Sequence, residues 1–143
     1  MLKDIYFDMD GTLCDLYGCQ DWLADLEAER TAPYDNAKPL LNFQAFARKV
    51  NALQHKGYTL NIISCTAKNG SQSYNGRVEQ AKRKYLAKHL KSVKWDSISI
   101  IPYDRPKNMV GKGILFDDEE RHRKVWNGKA YNEKEIMNVL KGL

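Results

Sequence analysis

The sequence has no apolar run approaching the ~20 residues that a helix needs to cross a bilayer, so no membrane partner is expected. It has only three cysteines, Cys14, Cys19 and Cys65. An odd, sparse set argues against a disulfide framework, and the opening Met-Leu-Lys-Asp has no signal-peptide pattern, so a reducing, cytoplasmic setting is expected. The three histidines, His55, His89 and His122, are scattered. Cys14 and Cys19 therefore have no second pair with which to build a zinc site and read as packed thiols. There are four prolines, no internal repeat and no low-complexity linker, which leaves one domain over residues 1–143.

Cations are in excess. The formal net charge of +5 favours anionic partners such as phosphate esters or a nucleic acid backbone. Lys82, Arg83, Lys84, Lys88, Lys91 and Lys94 cluster along one predicted helix, and Arg121, Arg123 and Lys124 form a second group. Solvated helix faces account for most of this charge, with guidance of a polynucleotide end as the sharper alternative.

Apolar periodicity alternates between the two regular structures. Ile5-Tyr6-Phe7 reads as a buried strand that breaks at Asp8-Met9-Asp10-Gly11-Thr12, and a helix is expected over Leu16–Arg30. Phe43, Phe46, Val50 and Leu53 predict a helix closed by Gly57, and Tyr58–Ser64 predicts a second strand. Ala67–Gly76 reads as a loop, followed by a helix through Val78, Ala81, Tyr85 and Leu86. Ser97–Ile101 and Gly113–Phe116 are the third and fourth strands, and the latter runs into Asp117-Asp118. A short helix over Glu119–Trp126, a strand over Gly128–Tyr131 and a final helix capped by Asn132 complete the chain. Alternating strands and helices predict an α/β fold with a mainly parallel sheet, whose ligands sit beyond the carboxyl ends of the strands. Asp8, Asp10, Asp117 and Asp118 all fall at that edge.

Asp-x-Asp-Gly-Thr after a strand, then Ser64 or Thr66 ending a second strand, then a lysine, then Asp-Asp ending a later strand, resembles the four ordered motifs of the haloacid-dehalogenase superfamily. The resemblance covers essentially the whole chain and implies a Rossmann-like three-layer αβα sandwich. In chemical terms Asp8 suits a nucleophile that forms an acyl phosphate. A carboxylate approaching a phosphate dianion needs a hard cation, and Mg²⁺ suits a site of a few carboxylates, phosphate and water. Asp8, Asp117 and Asp118 are its candidate ligands, and the family pattern adds the backbone carbonyl of Asp10, whose side chain moves the proton. Between Asp117 and Asp118, the resemblance favours Asp118 at the metal. Ser64, with Thr66 in reserve, would donate to the phosphoryl group. Lys107 is preferred as the balancing cation because its spacing to the Asp pair is similar to that in 5′(3′)-deoxyribonucleotidases, while Lys82, Lys84 and Lys112 stay open. Cys65 is expected to be buried.

The same branch shares Asp-Met-Asp-Gly-x-Leu-x-Asp, including Asp15, but has a larger helical cap. Here only about 25 residues, Leu16–Leu40, are free for a cap-like insert. Gly11, Thr12, Thr66, Trp22 and Tyr34 are the candidate substrate-binding residues, the two aromatics because a nucleobase stacks on such faces. The expected substrate is a small phosphomonoester, a nucleotide first. A nucleic acid 3′ end is the alternative, a non-catalytic metal-binding module is a third reading, and an oligomer that completes the site is left open.

Overall fold

A computed structural model describes residues 3–143. Five parallel strands form the central sheet in the order β5-β4-β1-β6-β7: β1 (Asp4–Phe7), β4 (Thr59–Cys65), β5 (Ser97–Ile101), β6 (Gly113–Phe116) and β7 (Gly128–Tyr131). Two short strands, β2 (Cys14–Asp15) and β3 (Lys38–Pro39), pair antiparallel at the base of the insert. The helices are α1 (Trp22–Glu27), α2 (Ala32–Asn36), α3 (Phe43–His55), α4 (Gln72–His89), α5 (Glu120–Arg123) and α6 (Ile136–Lys141). The expected α/β architecture with a mainly parallel sheet and a Rossmann-like layering is what the chain adopts. Among the described residues, no helix is long and apolar enough to cross a membrane.

The two sheet faces are covered unequally. Ile5, Phe7, Leu60, Ile62, Ile114 and Phe116 alternate onto one face and pack with Phe46, Val50 and Leu53 of α3, Leu86 of α4, and Ile136 and Leu140 of α6. Phe7 lies at the centre, stacked on Phe116 at 5.2 Å between ring centroids and edge-on to Phe46 at 5.0 Å. The opposite face, with Tyr6, Ile63, Leu115, Ala130 and Trp126, carries α5 and the segment leading to Gly111, whose Cα lies against the Tyr6 ring. Phe7 is in register with Ile62 on one side and Phe116 on the other, so the ends of β1, β4 and β6 are level. That register delivers Asp8, Ser64 and Asp117 to one edge.

Three expectations need correction, the simplest being the helix over Glu119–Trp126, which winds only from Glu120 to Arg123. Leu16–Arg30 is not one helix: the Asp15 carboxylate accepts from Gly18 N at 2.9 Å, Asp21 takes a left-handed φ of 60°, and only Trp22–Glu27 winds as α1. The local side-chain bond competes with helix propagation and wins. The loop after β4 is shorter than Ala67–Gly76, because Ser71 accepts from Tyr74 N at 3.1 Å and starts α4 at Gln72. Gly76 lies inside that helix. By contrast, α3 spans Phe43–His55 as its periodicity predicts, capped by Asn42 accepting from Ala45 N. Asn132 caps a 3-10 turn, Glu133–Glu135, that leads into α6.

Candidate functional site

Asp8 leaves β1 with its backbone still in the sheet, Asp8 N donating to Phe116 O at 2.9 Å. The chain then folds back tightly, with Thr12, Leu13 and Cys14 N all donating to Met9 O. Gly11 makes this loop possible in two ways: its φ is +80°, and a Cβ there would stand 2.3 Å from Asp118 Oδ2. Thr12 is 1 % exposed and faces the acids, its hydroxyl donating to Asp8 Oδ2 at 2.9 Å and accepting from Asp118 N at 3.1 Å.

Lys107 is buried and shared, its ammonium donating to Asp8 Oδ1 at 2.9 Å and Asp117 Oδ2 at 2.6 Å. Asp117 Oδ1 also accepts from Glu119 N at 2.9 Å, which leaves Asp118 less constrained. Oxygens of Asp8, Asp117 and Asp118 lie within 4.8 Å of one another, a spacing that could hold a metal ion. One ammonium faces three carboxylates, so negative charge is under-compensated. Burial, then repulsion from Asp8, pushes Asp117 up to about 7 and Asp118 up to about 8. Burial also raises Asp8, but Lys107 and its hydrogen bonds outweigh this and hold it below the usual carboxylate range. A hard cation beside these oxygens would relieve that imbalance, so the donor set fits one.

Asp10 has a different partner. Lys82 Nζ, from α4, donates to Asp10 Oδ2 at 2.8 Å, Ser64 Oγ at 2.7 Å and Cys65 O at 2.6 Å. Burial raises the Asp10 carboxyl, opposed by Lys82. Of the four candidate lysines, Lys107 enters the site on Asp8 and Asp117 and Lys82 enters it on Asp10, whereas Lys84 and Lys112 are exposed.

Above these groups opens a cavity of about 560 Å³, lined by Asp8, Asp10, Ser64, Thr66 and Lys107 below and by Trp22, Tyr34 and Leu26 of the insert above. Gly11 and Thr12 do not line it and act through the carboxylates they seat. Trp22 is half-buried, with Tyr17 edge-on at 4.9 Å between centroids. Sequence reasoning missed several wall residues. Tyr17 and Tyr103 are isolated aromatics in loops, without periodicity to mark them. His122 follows Asp118 by one helical turn, a spacing that could have placed it nearby. It is 3 % exposed, and burial, followed by the Lys107 charge, lowers it to about 4, so it is neutral at pH 7. Cys65, expected to be buried, is half-buried and lines the cavity, because it is the last residue of β4, where the sheet opens onto the site.

The insert is anchored along α4. Glu29 accepts from Ser71 N at 2.9 Å and Ser71 Oγ at 2.7 Å, Tyr74 Oη donates to Arg30 O, Arg77 to Glu29 O, and Tyr85 Oη to Ala37 O. Searched against known proteins, the chain matches no family model and no curated protein.

Proposed function

We propose that the protein is a Mg²⁺-dependent phosphomonoester hydrolase of the haloacid-dehalogenase type, working through an aspartyl phosphate on Asp8, with a nucleotide as substrate. The observation that carries this reading is the Asp8-Lys107-Asp117-Asp118 cluster, an ionised nucleophile beside carboxylates that lack enough positive charge. Asp8, Asp117 and Asp118 would hold Mg²⁺, and the ion when bound would offset charge on the phosphoryl group and orient it. An Asp8 oxygen forms a bond to phosphorus as the ester P–O bond breaks, and Asp10 gives its proton to the leaving oxygen. A water then attacks the acyl phosphate, passing a proton to Asp10 and freeing Asp8. Burial raises the Asp10 carboxyl, the direction that favours the acid form the first half of this cycle uses. Lys107 balances charge on Asp8, and Ser64 donates to a phosphoryl oxygen.

The nucleotide preference rests on the aromatic lining of the insert, Trp22 with Tyr17 and Tyr34, above the reacting end. A second reading, a 3′-phosphorylated polynucleotide, is favoured by the opposite rim. There Lys68 and Arg121 lie over the Tyr103 ring, 5.9 Å and 4.4 Å from its centroid, and could hold a further phosphate. A cytoplasmic location accompanies either substrate. Phosphate release from a panel of monophosphates with Mg²⁺ tests the reading, with wild type active and Asp8→Asn inactive. An absence of turnover across the panel would overturn it. A 3′-phosphorylated oligonucleotide compared with the mononucleotide separates the two substrates.

A further inference from the structure

Lys82 is a second buried lysine, and it hydrogen-bonds neither Asp8 nor Asp117, the two aspartates that Lys107 bridges. Lys82 is 1 % exposed, its three ammonium protons are spent on Asp10 Oδ2, Ser64 Oγ and Cys65 O, and the Tyr34 ring of the insert covers it at 5.3 Å. An ammonium donates and never accepts, and this fixes the polarity of both partners. Asp10 Oδ2 must accept, so any proton on Asp10 resides on Oδ1. Ser64 Oγ must accept as well, so its own proton is turned away from Lys82. Asp10 and Ser64 both line the cavity, the side from which an ester would present its leaving and phosphoryl oxygens.

The geometry points to Lys82 as a positioning residue that selects the proton-bearing oxygen of Asp10 and aims the Ser64 hydroxyl, acting on the proton-transfer half of the reaction rather than on the nucleophile. This deepens the hydrolase reading and rests on it. A lysine that merely pinned α4 to β4 would slow all substrates alike. A lysine acting through Asp10 slows most those esters whose leaving oxygen needs a proton, and slows the hydrolysis of the acyl phosphate, which needs a base.

The test compares wild type with Lys82→Met on an alkyl phosphate and on 2,4-dinitrophenyl phosphate, whose leaving group departs without a proton. With the alkyl ester, kcat is expected to fall by about 10² or more, the range of general acid catalysis. With the dinitrophenyl ester, rapid mixing should show a burst of dinitrophenolate, near one equivalent and within a few-fold of the wild-type rate, followed by slow turnover. Equal losses for both esters with no burst, or no loss for either, overturn the inference. Lys82→Met leaves Asp10 buried without its partner, so the double variant Asp10→Asn/Lys82→Met, which removes both charges, is measured as well. Its kcat should lie within about tenfold of Asp10→Asn alone, because groups acting as a unit do not lose activity twice. A double variant more than about tenfold slower than Asp10→Asn overturns the inference even if the single variant fails to fold. Wild type inactive on both esters would instead sink the hydrolase reading.

Discussion

At the scale of single residues, Asp8 is held by two unlike donors, Lys107 on one oxygen and Thr12 on the other. Asp8→Asn keeps the shape and removes the proposed nucleophile, so turnover should vanish while the thermal midpoint changes little; a phosphate-release assay beside a melting curve checks both. Gly11 is the more informative position because it does not line the cavity. Gly11→Ala forces a Cβ toward Asp118 Oδ2 at a positive φ, and should weaken Mg²⁺ binding by tenfold or more, read by titration calorimetry. Lys107 was legible in the sequence only because its spacing to Asp117-Asp118 resembles a known motif pattern. The contacts of Lys82 with Asp10 and Ser64 were not, because a lysine among Arg83, Lys84 and Lys88 looks like one more solvated charge until the helix phase turns it inward.

At the scale of elements, α3 and α1 have opposite jobs. Phe46, Val50 and Leu53 of α3 are fully buried, and Leu53→Ala should cost about 2–5 kcal/mol in urea unfolding, as buried leucine truncations do. All of α1 is partly or fully exposed, yet its Trp22 and Leu26 face the cavity. Trp22→Ala should therefore leave the urea midpoint nearly unchanged and raise KM for a nucleotide by about 10-fold or more, the worth of one stacked base, without raising it for a phosphate ester that lacks a base. Long, strongly periodic elements such as α3 and β4 were readable because burial and local propensity agree there. The insert was not, since Asp15, Gly18 and Asp21 settle its path through side-chain bonds and a left-handed residue that leave no periodic trace.

At the scale of the molecule, the site trades stability for readiness. Asp117 and Asp118 have folded-state pKa values raised above their ordinary ones, so the stability they contribute is full at low pH and is lost as pH rises through about 7 and 8. His122, lowered to about 4, and His89, also lowered by burial, act in the opposite sense, and their effect fades once pH passes their ordinary value of 6.5. From pH 6.5 to 8 the acids dominate. The metal-free protein should therefore melt progressively lower across that window in calorimetry, and added Mg²⁺ should raise the midpoint more at pH 8 than at pH 6.5. The fastening of the insert to α4 by Ser71, Tyr74, Arg77 and Tyr85 has a consequence in time rather than in space. An enzyme whose lid must swing feels solvent friction in every cycle. A strapped lid has no swing to be dragged, so kcat should be indifferent to added sucrose, and Glu29→Ala, by loosening the strap, should make the protein's clock begin to run with the viscosity of its medium.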